Sequence, residues 1–158
     1  MKLYRDKVVE EKYFFIISGL FISNYILNMF QGFNEELFLD SVDQDFSLRL
    51  LEKNYHIFQV MDALAIHSIG SPTSLNILSI SIPVSLHSPS RTYFMIRDSL
   101  VTIQRHWKLN FYLILILSIN LIISSFIKII FFKKRRDYFD NTMKGIFSFL
   151  DLMKKSKN

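Results

Sequence analysis

A membrane α-helical hairpin, two transmembrane helices with a small α+β outer segment between them and an amphipathic C-terminal helix behind them, is the fold class this sequence predicts. Three observations predict it. Residues 109–132 form a nearly unbroken apolar run, and at about 1.5 Å per residue such a run can cross a hydrocarbon core of about 30 Å. A second apolar run covers residues 13–30. Lys133, Lys134, Arg135 and Arg136 follow the longer run at once. Adjacent cations resist passage across a bilayer, so these four are topogenic and hold both termini inside.

The elements follow in chain order. Residues 1–12 make an inner N-terminal segment; they carry Asp6, Glu10 and Glu11, which does not suit a secretory leader, and no small-residue cleavage site follows, so residues 13–30 are expected to stay as transmembrane helix 1. Within it Gly19 and Ser23 form a small-xxx-small pair, and Asn24 and Asn28 lie one turn apart, a pattern suited to helix packing. Residues 31–108 form the outer segment. There Ile80, Ile82, Val84 and Leu86 alternate with polar residues, the period of a half-buried strand, and Pro83 restricts it to an edge. Thr92 to Ile96 read as a further short strand, and residues 97–106 as a polar helix leading into residues 109–132, transmembrane helix 2. On that span Asn120, Ser124 and Lys128 recur every four residues. Asn120 and Ser124 are expected to face protein, and Lys128 to snorkel to the headgroups. Trp107 and Tyr112 mark the outer interface. The basic tail, 133–158, holds a helix with Phe139, Met143, Ile146, Phe147 and Leu150 on one stripe, a face for a partner or a membrane surface.

Charge is unevenly placed. Residues 1–31 carry +1, residues 32–108 carry −2, and residues 109–158 carry +6. Basicity concentrated beside an apolar run reads as topology, and no nucleic-acid partner is expected. The chain has no cysteine, which excludes disulfides, thiolate metal sites and a thiol nucleophile. Two alanines and four glycines against sixteen phenylalanines, twenty-one isoleucines and twelve lysines are the composition of an AT-rich genome.

Chemical motifs are sparse. Asp40, Asp43 and Asp45, with Glu35 and Glu36 before them, lack the order of a calcium loop and read as a solvated acidic loop. His56, His67, His87 and His106 are scattered without a zinc-ligand set. Ser71, Ser74 and Ser88 lie in no nucleophile motif. No catalytic residue, cofactor, metal or small-molecule substrate is expected. The sequence therefore predicts a non-catalytic accessory subunit of a multisubunit membrane complex, in the first place a mitochondrial inner-membrane respiratory or ATP-synthase complex, with lipid and other subunits as partners. The alternatives are an oligomeric two-span channel, or an endoplasmic-reticulum or bacterial-envelope adaptor that binds clients through its outer segment.

Overall fold

The chain divides into two units, Met1–His67 and Ser68–Asn158. The computed structural model describes residues 2–4, 7–38, 40–64, 72–77, 80–85, 87–109 and 111–155, with residues 2–4, 7–8, 40, 72–77 and 80–85 described by backbone alone.

In the first unit, strands β1 (Lys2–Tyr4), β2 (Lys7–Lys12) and β3 (Ile57–Val60) form an antiparallel sheet in the order β1-β2-β3, with Glu11 opposite Phe58 and Lys12 opposite Ile57. Residues 13–30 do not make a long helix. They run irregularly to Ser23, pass through a turn in which the Leu20 N–H donates to the Ile17 carbonyl with Gly19 at φ +85°, and close with the six-residue helix α1 (Asn24–Met29). Ser23 caps α1, its side chain accepting from the Ile26 N–H at 3.3 Å. The helix ends in a Schellman arrangement: Gly32 N–H bonds the Leu27 carbonyl and Gln31 N–H the Asn28 carbonyl, with Gln31 in the left-handed region at φ 56°.

Helix α2 (Asp40–Glu52) carries the core of this unit. Phe46, Leu50 and Ile57 are buried, and Phe15, Ile22, Ile26, Leu27, Phe30, Phe33 and Tyr55 pack against them. The Phe46 ring meets Phe15 and Phe30 edge-on, with centroids 6.1 and 6.0 Å away, and Phe33 at 4.7 Å. Burying such a ring is worth about 1.5–3 kcal/mol. A second Schellman arrangement ends α2: Asn54 sits at φ 60°, and the Tyr55 N–H returns to the Leu50 carbonyl, which turns the chain into β3.

The second unit opens with the antiparallel pair β4 (Pro72–Ile77) and β5 (Ile80–Ser85). Pro83 stands opposite Ser74, tolerable because a two-stranded ribbon is all edge. Helix α3 (Pro89–His106) begins at Ser88, whose hydroxyl accepts from the Arg91 N–H, with Pro89 at the first helical position. Thr92 to Ile96 are thus helical, not a strand. Helices α4 (Phe111–Phe131) and α5 (Arg135–Lys155) follow, and α3, α4 and α5 pack on one another. On α3, burial lowers the pKa of the Arg97 guanidinium, but its hydrogen bonds and charge interactions with Asp98 and Tyr93 outweigh that and leave it raised. Two side-chain bonds tie α5 down: the Tyr138 hydroxyl donates to the His87 carbonyl at 2.7 Å, and the Tyr93 hydroxyl to the Ser148 hydroxyl at 3.0 Å.

Among the described residues one helix, α4, is long and apolar enough to cross a membrane. The two-span hairpin with an α+β outer segment is therefore corrected to a mostly helical chain with one apolar helix, packed against others, and small sheets. The face of α5 that packs is also not the bulky stripe. Tyr138, Thr142 and Gly145 are buried, whereas Phe139, Phe147 and Leu150 are about half exposed and Met143 and Ile146 are intermediate. A Cβ on Gly145 would lie 2.8 Å from the Tyr93 carbonyl oxygen and 2.9 Å from the Ile96 Cβ, so the closeness of α3 and α5 requires glycine here.

Gly145→Ala should destabilise the second unit by about 1–3 kcal/mol through overpacking, although alanine in a helix interior is otherwise favoured by about 1 kcal/mol. Urea unfolding followed by the fluorescence of Trp107, the chain's single tryptophan and the C-cap of α3, measures it.

Burial raises the pKa of Tyr138 above its ordinary value of 10.0. The folded state thus keeps a proton that the unfolded chain releases near pH 10, and this contribution is fully present below that pH and lost as pH rises through the higher folded pKa. Tyr138→Phe should cost about 0.5–1.5 kcal/mol at neutral pH by removing the bond to His87, and should flatten the decline of stability above about pH 10. Urea midpoints of both proteins across the alkaline range test the two effects together.

Candidate functional site

Helix α2 carries Asp43, Asp45, Ser47 and Arg49, and Asp43, Ser47 and Arg49 bond to the backbone of residues 15–32. Asp43 Oδ2 accepts from the Ile17 N–H at 3.2 Å. One turn on, the Ser47 hydroxyl donates to the Asp43 carbonyl at 2.7 Å and accepts from the Phe15 N–H at 3.4 Å. Asp45 is fully buried (0% exposed), with its Oδ2 2.9 Å from Arg49 Nε. The other two guanidinium nitrogens of Arg49 donate to the Phe30 and Gly32 carbonyls at 2.7 and 2.9 Å, and the group lies 4.8 Å over the centre of the Phe46 ring. One planar cation thus binds a buried carboxylate, two carbonyls of the α1–α2 connection and an aromatic face, which lysine's point charge cannot reproduce.

These contacts divide the acidic residues by role. The expected acidic loop is the first half of a helix, and its negative charge sits where the helix dipole favours it. Asp45 is sealed in the interior against Arg49 and holds structure. Asp43 is half-buried and fixed in orientation by a backbone N–H, which suits a carboxylate that takes a proton from a neighbouring group. Glu35 and Glu36 are exposed beyond the turn. On the sheet, His56 Nδ1 lies 2.6 Å from Glu11 Oε1, both groups are exposed, and the His56 ring stacks on Phe58 at 6.2 Å. Beside them Lys12 bonds Glu10 at 2.6 Å and holds its carboxyl below the usual range.

The helix-packing residues expected of two spans fall elsewhere. Gly19 occupies a turn, Ser23 is the α1 cap, and Asn24 and Asn28 are exposed on α1. On α4, Asn120 is exposed and Ser124 bonds the Leu121 carbonyl of its own helix. Lys128 does not snorkel: it is 5% exposed, with its Nζ 3.8 Å from Met95 Sδ on α3. Lys133, Lys134, Arg135 and Arg136 are exposed at the junction of α4 and α5. His67 and Ser71 lie outside the described residues, and Ser74 is described by its backbone alone. Among the described residues no group of three or more His, Asp or Glu is placed to hold a metal ion. Sequence reading missed the Arg49 clamp, although its signal, an aspartate four residues before an arginine on one helix face, was there to find.

No protein-family model matches the chain, and no solved structure matches it. A curated protein does: the dTDP-rhamnosyl transferase RfbF of Shigella flexneri, 32% identical over 91 residues, which are 58% of this chain and 30% of that protein. The match thus spans under a third of the relative's length. It overturns the expectation of a non-catalytic accessory subunit in a respiratory or synthase complex, and with it the exclusion of enzyme activity and of a small-molecule substrate. The mitochondrial reading rested on composition, which reports codon usage and not compartment.

Removing the guanidinium while keeping a long side chain, Arg49→Met, should take from the buried Asp45 carboxylate its paired cation and free the Phe30 and Gly32 carbonyls, at a cost of about 3 kcal/mol, and Arg49→Lys should recover part of that. Hydrogen-exchange protection of the α2 amides reads the loss. The double change Arg49→Met with Asp45→Asn should cost less than Arg49→Met alone, because the buried carboxylate charge goes together with its cation.

Proposed function

We propose that this chain belongs to an enzyme that transfers a sugar from a nucleoside-diphosphate donor, with a deoxythymidine diphosphate sugar as the donor class. The 32% identity over 91 residues to a dTDP-rhamnosyl transferase carries this reading. In such a transfer an acceptor hydroxyl attacks the anomeric carbon, the bond from that carbon to the diphosphate oxygen breaks, and the diphosphate leaves with the electron pair. The hydroxyl proton must go to a base, and an oriented carboxylate is the usual choice. Asp43 is the carboxylate of α2 suited to that role, because it is half-buried, held by the Ile17 N–H, and not sealed in the interior as Asp45 is. Arg49 and Asp45 then act as positioning residues, fixing α2 against the backbone at residues 30 and 32.

Incubation of the chain with dTDP-rhamnose carrying a radiolabel in the sugar, with bacterial membranes as the source of acceptor, should move label into the membrane saccharide fraction. Asp43→Asn should lower kcat by about 10²–10⁴-fold, with little change in KM for the donor and with α2 still protected from hydrogen exchange. The proposal fails if saturation-transfer NMR detects no binding of dTDP-rhamnose and no label moves, and the role of Asp43 fails if the variant keeps its kcat.

A further inference from the structure

The helices of the second unit bury many polar side chains, while α4 leaves its large apolar side chains exposed. The buried positions of α4 are Leu113, Ser125 and Lys128, and those of α3 are Thr92, Ile96, Asp98, Val101, Thr102 and His106. Outside, the large apolar side chains of α4 stand exposed, Phe126 at 61% and Ile130 at 57%. At 100° per residue Ile116, Ile119, Ile123, Phe126 and Ile130, all exposed, fall within an arc of about 80° on the face opposite Leu113, Ser125 and Lys128. In water the apolar face would turn inward. Here a cation is turned in and the isoleucines out, the arrangement lipid selects.

The packing also decides between a helix that crosses and one that lies flat. Both α3 and α5 contact α4, α3 through Met95 at Lys128, and α5 carries exposed Asp140, Lys144 and Asp151. If α4 crossed the bilayer in this arrangement, it would draw those charges into the hydrocarbon, which excludes them. Lying in the interface, the bundle wets its charged face and immerses the other. The ends of α4 suit that placement. Trp107 and Lys108 precede it, with Lys108 Nζ 5.2 Å from the Trp107 ring; Phe111 and Tyr112 are exposed at its first turn; and four exposed cations, residues 133–136, follow it. Residues 109–158 carry a net charge of +6, complementary to anionic headgroups.

We propose that the unit Ser68–Asn158 is a monotopic module that lies on an anionic phospholipid bilayer, with Ile116, Ile119, Ile123, Phe126 and Ile130 of α4 immersed and residues 133–136 at the lipid phosphates. The inference stands independently of glycosyl transfer. It assigns a lipid surface to the unit whatever chemistry the rest of the enzyme performs.

The test uses the full chain, diluted from mild detergent into phosphatidylcholine vesicles with or without phosphatidylglycerol, and followed by flotation and by Trp107 fluorescence. The chain should float with the anionic vesicles and shift Trp107 emission to the blue. Flotation should weaken with salt, and changing residues 133–136 to glutamine should weaken binding about tenfold or more. Ile119→Asp with Ile123→Asp, both at exposed positions, should abolish flotation while circular dichroism stays unchanged. Because the chain has no cysteine, Lys108→Cys and Lys134→Cys can be labelled singly with an impermeant maleimide added outside sealed vesicles, and both should react. Reaction of only one means that α4 spans the bilayer and overturns the proposal. Equal flotation on neutral and anionic vesicles overturns the charge assignment, and a stable oligomer that buries α4 and does not float overturns the lipid assignment.

Discussion

Residues 15–32 depend on α2 for hydrogen-bond partners, and the first unit is arranged around that dependence. A peptide N–H or carbonyl away from water must be paired, and an irregular segment cannot pair all of its own. Here Ser47 and Asp43 accept from Phe15 and Ile17, and Arg49 donates to the carbonyls of Phe30 and Gly32. Those bonds lay the segment along one face of α2, and the aromatic side chains between them, Phe15 and Phe30, close over Phe46. Packing and polar pairing thus fix the same geometry. A carboxylate held in one orientation, Asp43, is a by-product of the docking.

The two apolar runs meet this constraint differently, which explains why hydropathy located one and misjudged the other. Both contain serines and asparagines. In α4 the hydroxyls of Ser118 and Ser125 bond carbonyls four residues back at 2.8 and 2.7 Å, bonds that a continuous helix accommodates. In residues 13–30, Gly19 takes a positive φ and Ser23 spends its hydroxyl on capping, so each interrupts the helix a span would need. Their spacing resembles a helix-packing pattern because small residues serve both purposes. The distinguishing information lies in α2, downstream, where Asp43, Ser47 and Arg49 supply the alternative partners. A hydropathy window cannot see them.

The bulky stripe of α5 illustrates a second limit of periodicity. Phe139, Met143, Ile146 and Leu150 repeat at helical spacing, and the sequence legibly marks α5 as an amphipathic helix. The face that packs, centred on Tyr138, Thr142 and Gly145, lies about a quarter turn away. It wins because Gly145 lets the backbone of α3 approach to where a Cβ would touch the Tyr93 carbonyl, and because Tyr138 and Tyr93 each find a hydrogen-bond partner there. Small and polar residues carry little weight in a hydrophobic count, yet close approach is what they allow. The two Schellman turns were hidden for a related reason: Gln31 and Asn54 hold positions where glycine is the usual signal.

The placement of charge, by contrast, is legible from the sequence. On hydropathy alone, the cations at 133–136 and the apolar run before them are the inner end of a crossing helix. The same residues also end a helix that α3 and α5 contact, and charged neighbours oppose the entry of a helix into hydrocarbon. The polar interior of that bundle points the same way. Lys128 and Ser125 are buried, and Ile116, Ile123, Phe126 and Ile130 are exposed. Hydropathy says how much a helix wants to leave water, but its neighbours decide at what angle it can do so.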